Sequence, residues 1–411
     1  ADVEQDGPAT HSGQRVDAAG FLEDGVEATA HLLSELCDGL SQDFEITVIT
    51  GRLRDYAEAP GRVVRNGVEI VRVPSTMYDR TRLGPRATNY VTFLLQSLRA
   101  GLRSRRPDVV LCMTDPPIIA NVALVVARRF RAPLVVVSQD VFPEIAVELK
   151  RLENTALVEL LSRLISFYLR RADRVVAIGE TMRERLEQKG TPPERLTVIS
   201  NWVDTAAVVP MPRDNDWRHA HGLDGRFVVM HSGNVGHAQS LETLVRASTL
   251  LRDLDDLRVT IIGTGARRVA LAELAERLDA DAVEFFPYQP REIISASLSA
   301  ADLHFVGLAA GLAGYIVPSR VYGILAAGRP VLVAADADSE TVRLVRRVGC
   351  GFVVEPGRAD LVAQVIREAR DGAYDLARMG ELGREYVVTE ADRSVAIGRY
   401  RALLADVIDR G

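Results

Sequence analysis

The sequence predicts an α/β protein of two doubly wound, Rossmann-like domains facing each other across a cleft. Short, almost entirely apolar runs such as Val109–Met113, Leu134–Val137 and Val259–Ile262 have the character of parallel strands covered on both faces. Each ends in a short polar or glycine-containing turn and is followed by apolar residues at helical spacing. The pattern occurs twice, on either side of a charged loop containing Pro210 and Pro212, and 411 residues are too many for one core.

Residues 1 to about 14 are polar and patternless and read as a lead-in. A weak strand from Arg15 to Phe21, a turn through Gly25, a helix from Val26 to Leu40 and the alternating strand Phe44–Thr50 make a first βαβ unit. Val68–Val73 is a strand. The basic stretch Arg80–Arg106, interleaved with Tyr90, Val91, Phe93, Leu94, Leu95 and Leu98, suits either a helix packed on the sheet or contact with an anionic membrane surface. Ile118–Phe130 reads as a helix, and Leu149–Arg171 as one long helix with leucines on one side and arginines on the other. Arg174–Gly179 and Leu196–Ser200 are strands flanking the helix Glu180–Lys189. Beyond the proline loop, Phe227–His231, Val259–Ile262, Val283–Phe286 and Asp302–Val306 are strands, with helices after the first two.

Composition narrows the function. A net charge of −6 gives no general attraction to nucleic acid. Cys37, Cys112 and Cys350 lie far apart without metal-ligand spacing and suit a reducing compartment as buried small residues. No apolar run approaches the ~20 residues needed to cross a bilayer, and the N-terminus lacks the order of a signal peptide, so a cytoplasmic protein is expected. Neither a GxxxxGK[ST] loop, an HExxH motif nor a GxSxG elbow is present, and Gly263-Thr-Gly265 lacks the third glycine of a dinucleotide fingerprint.

The chemistry-bearing residues gather at predicted strand ends. Val317–Val333 reads as a loop ending in Pro318-Ser319-Arg320, a short helix, Gly-Arg-Pro and a strand. Free N–H groups at the helix start, the Ser319 hydroxyl and the Arg320 fork would suit a diphosphate, although an ordinary loop-helix-strand joint fits this stretch equally well. Asp140 and Glu144 follow the strand Leu134–Val137, where carboxylates could orient sugar hydroxyls or take a proton; Asp140 could equally cap a helix. Ser232-Gly233-Asn234-Val235-Gly236 is a second glycine turn after a strand.

With Ser138-Gln-Asp-Val-Phe-Pro-Glu144, Val198-Ile-Ser-Asn-Trp-Val-Asp204, Ser232–Gly236 and VPSRVYGILAAGRPV in this order, the chain resembles the retaining glycosyltransferases of family 4, which have the GT-B fold. Within them it is similar to the bacterial branch that builds O-antigen and capsule saccharides, the fucosamine transferases included. The resemblance spans about Val26 to about Leu404. It implies an acceptor-side domain at 1–204, a nucleotide-sugar domain at 205–385 and a terminal helix, 386–411, crossing back to the first domain. It further implies that Gly25, Ser232, Gly233, Asn234, Gly236, Ser319 and Arg320 border the donor diphosphate, that Gly263, Gly265 and Tyr288 border the nucleobase, and that Asp140 approaches the donor sugar.

Two family features are missing. Tyr315 and Gly323 stand where many members carry glutamates, and Asn234 and Gln239 where many carry an arginine and a lysine. Glu340 is then a candidate to replace a lost ribose contact, and Arg320 to supply the missing charge. The expected activity is hexosyl transfer from a nucleotide sugar, UDP-linked, to a saccharide, lipid-linked or natural-product hydroxyl, with no metal or other cofactor and with peripheral contact at the inner face of the membrane. A nucleotide-sugar 2-epimerase of the same fold and a non-catalytic nucleotide-sugar-binding homologue are the alternatives.

Overall fold

The computed structural model describes residues 15–19, 28–51, 61–74 and 83–410. The first sheet contains β1 (Arg15–Ala19), β2 (Glu45–Thr50), β3 (Gly61–Arg65), β4 (Val68–Arg72), β5 (Val109–Met113), β6 (Leu134–Ser138), β7 (Arg174–Ala177) and β8 (Leu196–Val198). Their order is β3-β4-β2-β1-β5-β6-β7-β8, parallel except for β3. Helices α1 (Ala28–Leu40), α2 (Leu83–Arg103), α3 (Ile119–Phe130), α4 (Glu144–Glu148), α5 (Thr155–Leu169) and α6 (Glu180–Gln188) connect them. The strands at the centre read as unbroken apolar runs because both faces are covered: Val135, Val136 and Val137 alternate between the cores above and below the sheet.

The second sheet has β9 (Phe227–Ser232), β10 (Leu257–Ile262), β11 (Val283–Phe286), β12 (Leu303–Gly307), β13 (Val331–Ala334) and β14 (Gly351–Val354) in the order β11-β10-β9-β12-β13-β14, all parallel. Its helices are α7 (Asp216–Ala220), α8 (Glu242–Thr249), α9 (Arg268–Arg277), α10 (Ile294–Ser299), α11 (Arg320–Ala326), α12 (Glu340–Val348), α13 (Ala359–Arg370) and α14 (Leu376–Glu390), and α15 (Arg393–Arg410) ends the chain.

Three readings from sequence need correction. The antiparallel strand β3 was not anticipated; Asn66 and Gly67, both at positive φ, turn it into β4 as a two-residue hairpin loop. The long helix expected from Leu149 to Arg171 is α5 alone. Lys150 adopts a left-handed conformation, and the Asn154 side chain accepts a hydrogen bond from the Leu157 N–H, starting a new helix. The terminal helix is likewise two: Asp392 interrupts it, accepting from the Ser394 N–H at 2.8 Å and the Thr205 hydroxyl at 2.6 Å. There Asp392 also bridges to Val203, so both passages of the chain between the sheets run side by side.

Helix α15 then returns to the first sheet, where Ala396, Tyr400, Leu404 and Val407 pack with Leu33, Leu36 and Trp202 in one core. Leu404 is fully buried. Leu404→Ala is expected to cost about 2–5 kcal/mol, read as a lower urea midpoint of unfolding.

Candidate active site

The carboxyl edges of the two sheets face each other. The loop after β6 pairs with the loop after β12, where Asp140 bridges to Ile316 and the Val141 N–H donates to the Tyr315 carbonyl at 2.8 Å. After β13, the Glu340 carboxylate reaches the first turn of α6, accepting from the Thr181 N–H at 3.3 Å and lying 3.4 Å from its hydroxyl. Arg185 of α6 lies 4.9 Å over the Tyr315 ring. At the first family-glutamate position there is thus an aromatic platform for an arginine from the opposite sheet.

Within the second sheet, the loops after β9, β10 and β12 converge. Gly263 (φ +132°) and Gly265 (φ +152°) are required by this approach: a Cβ on Gly263 would stand 1.9 Å from the Gly233 carbonyl oxygen, and one on Gly265 2.3 Å from that of Val235. The Ser232–Gly236 turn is held rigidly by its own amides. The N–H of Gly233 donates to Ile262, that of Val235 to Thr264, and that of Gly236 to the Gln239 side chain at 2.9 Å. Those three amides are therefore occupied within the fold, contrary to an open backbone cradle, and Gln239 acts as a loop clamp.

The Arg320 guanidinium lies against this turn, its Cζ 3.6 Å from where a Gly233 Cβ would be. Its Nη1 is 3.0 Å from Nδ1 and 2.7 Å from Nε2 of His231, and its Nη2 donates to the Asn234 carbonyl at 3.5 Å. Burial and the neighbouring Arg320 hold His231 far below its ordinary pKa, so the imidazole is neutral and can accept. Desolvation brings the Arg320 guanidinium down to about 10, which leaves it charged at neutral pH. Among the described residues no carboxylate pairs with it. Arg218 makes the contrast: fully buried, it is satisfied by Asp302 and by the carbonyls of Leu223, Ala300 and Arg226. Arg218 is a structural arginine, whereas Arg320 keeps a net charge at the cleft. His231 was not among the sequence candidates; its signal was a polar residue inside the apolar strand Val228-Val-Met-His-Ser232.

Asp140 is exposed to water at the cleft although the molecule surrounds it densely; desolvation and the like charge of Asp115 push its carboxyl up to about 7. Ser319 precedes α11 and makes no side-chain cap. Tyr288 is exposed after β11. Along the edge of the sheet, Tyr288, Gly263 with Gly265, Ser232–Gly236 and Arg320 follow in the order of their strands.

Two candidates are placed elsewhere. Glu144 turns into its own domain, 2.5 Å from the Lys189 ammonium, so its carboxylate serves an internal ion pair. Glu340 lies past β13, on the other side of Arg320 from Gly263, Gly265 and Tyr288, and is engaged by Thr181. It bridges the two sheets and is not beside the nucleoside candidates. Gly25 lies outside the described residues. Among the described residues no group of three His, Cys, Asp or Glu side chains could hold a metal ion.

Two largely parallel sheets with facing carboxyl edges, joined by a doubly crossing chain and a returning helix, define the GT-B fold. The "Glycosyl transferase 4-like domain" matches residues 24–202 and "Glycosyl transferases group 1" matches 213–386. The probable glycosyltransferase WbjE of Pseudomonas aeruginosa is 28% identical over 327 residues, covering 76% of this chain and 78% of that protein. The putative colanic acid biosynthesis glycosyl transferase WcaI of Escherichia coli K12 is 27% identical, covering 56% of this chain and 57% of its own length. In fold, the chain is similar to sucrose-phosphate synthase of Thermosynechococcus elongatus (TM-score 0.79, 16% identity, 97% of this chain and 100% of that one). It is similar also to Anabaena HepE in complex with UDP and glucose (TM-score 0.74, 15% identity, 95% and 99%). The two domain matches together span most of the chain, which belongs to the family 4 glycosyltransferases.

Proposed function

We propose that this glycosyltransferase moves a hexosyl group from a UDP-sugar to an acceptor hydroxyl with retention at the anomeric carbon. The observation that carries the reading is Arg320, a charged guanidinium held by a neutral imidazole and a carbonyl, with no carboxylate among the described residues to neutralise it. A diphosphate is the anion such a fork matches. Ser319 and the Ser232–Gly236 turn would flank it, Gly263, Gly265 and Tyr288 would border the nucleoside, and Asp140 would approach the donor sugar. The presence of UDP and glucose in HepE supports the donor class.

In the proposed reaction the acceptor oxygen forms its bond to the anomeric carbon on the face from which the diphosphate leaves. The bond between that carbon and the phosphate oxygen breaks, and the acceptor's proton passes to a phosphate oxygen. The protein positions both partners and stabilises the leaving charge. Since Arg320 meets that charge, no cofactor is part of the proposal. We assign residues 1–204 to the acceptor and 205–385 to the donor, with α15 (Arg393–Arg410) as the helix that returns to the acceptor side. The acceptor is a saccharide, lipid-linked or natural-product hydroxyl, and the enzyme works in the cytoplasm in peripheral contact with the inner face of the membrane.

A thermal-shift screen of nucleotides and nucleotide sugars tests the donor. A ligand at a hundred times its Kd stabilises by about 2.7 kcal/mol, so UDP and one UDP-sugar should raise Tm by several degrees. No stabilisation by any nucleotide would overturn the reading. Appearance of a second nucleotide sugar without acceptor would favour the epimerase instead.

A further inference from the structure

Helices α2, α3 and α5 cover one face of the first sheet, with α3 packed between the other two. The opposite face is closed by α1 and α15. The inward residues of the three helices, among them Phe93, Ala123 and Ile165, join the core, yet their outward faces carry exposed apolar side chains beside charged ones such as the Glu159–Arg163 pair of α5. On α2, Val91 (54% exposed), Leu95 (60%) and Leu102 (40%) share one side; α3 adds Val125 (49%). On α5, Leu160 (53%) and Phe167 (39%) lie two turns apart on one side.

Charge follows the same face. The protein is acidic overall, at −6, but α2 and α3 contain no Asp or Glu, and α5 contains only Glu159. Arg99 and Arg103 stand on α2, Arg128 and Arg129 close α3, and Arg170 and Arg171 follow α5, all exposed. Arg171 lies 3.9 Å over the Phe167 ring. Helix dipoles account for cations at carboxyl ends but not for exposed leucines on the amino-terminal side of them. Apolar side chains fringed by arginines form a surface complementary to acyl chains under anionic headgroups.

We propose that the α2–α3–α5 face is a docking surface for an anionic lipid bilayer. Leucine, valine and phenylalanine enter the headgroup boundary, and the arginines meet lipid phosphates. This rests on the peripheral membrane contact proposed above and is independent of the donor assignment. The helices start at the carboxyl edge of the first sheet, so a docked enzyme holds its cleft beside the bilayer.

Flotation with vesicles of phosphatidylcholine alone, or containing about one-third phosphatidylglycerol, tests the proposal. The full chain is expected to float with anionic vesicles at least tenfold more than with neutral ones, and to be released as salt rises. Leu95→Asp with Leu160→Asp, and separately Arg99→Ser with Arg103→Ser and Arg129→Ser, should each lower retention at least tenfold. UDP-induced thermal stabilisation should be unchanged in these variants, which shows that they fold and reads the donor site separately. Absence from anionic vesicles, equal retention on neutral ones, or a wild-type dimer that Leu95→Asp with Leu160→Asp turns into a monomer would each overturn it.

Discussion

Arg320→Ala is expected to lower turnover about a hundredfold or more, with the folded state intact. A well-placed donor to a leaving oxyanion contributes roughly 3 kcal/mol to the transition state, which corresponds to about two orders of magnitude. The side chain is held by His231 and the Asn234 carbonyl rather than by the core, so its removal leaves neutral partners that water can reach. Arg320→Lys restores the charge but not the fork and should recover only part of the loss. Steady-state kinetics with saturating donor and acceptor measure this. Full activity in the alanine variant would remove Arg320 from the site and with it the observation on which the donor reading rests.

Asp140→Asn is expected to lower turnover by about a hundredfold and to flatten the pH profile near neutrality, because the ionised carboxylate beside the donor sugar would stabilise positive charge developing at the anomeric carbon while the acceptor's proton passes to a phosphate oxygen. In the wild type, activity should rise as pH passes through about 7, where the carboxyl loses its proton. Stability should move the other way. In the fold Asp140 keeps its proton from its ordinary value of 3.8 up to about 7, whereas the unfolded chain has already released it. Asp140's contribution to stability is therefore complete below pH 3.8 and is lost as pH rises across that window, a modest effect because the side chain is exposed to water at the cleft. The asparagine variant cannot ionise, so at pH 8 it should melt above the wild type while turning over more slowly. An unchanged pH profile, or a variant less stable than the wild type at pH 8, would rule out an ionising Asp140 at the cleft.

Much of the architecture was legible because parallel strands covered on both faces carry an unmistakable apolar signature. Val109–Met113 and Val259–Ile262 are examples, and the turns after such strands located the cleft. Local chemistry was harder. Asn66-Gly67 was a hairpin signal between short valine-containing runs, and Asp392 before Arg-Ser was a helix-start signal; both were overridden by longer patterns. Direction in space was not legible at all. Glu144 and Glu340 both stand at strand ends, as a ligand-facing acid would, yet Lys189 draws one into its own domain and the Thr181 amide draws the other across the cleft. Nor could the sequence tell that the amides of Gly233, Val235 and Gly236 are occupied, since their partners come from other loops or a side chain.

Helix α15 bears on how such enzymes can be recombined. The two family domains meet between residues 202 and 213, which invites exchange of the halves at that junction. A chimera cut only there would set a foreign first sheet against the original Tyr400, Leu404 and Val407, because the helix that closes the first core is encoded after the second. The first half is thus discontinuous along the chain. An exchange that preserves its packing needs two junctions, one near Asp204 and one near Asp392, where the chain's two passages lie side by side.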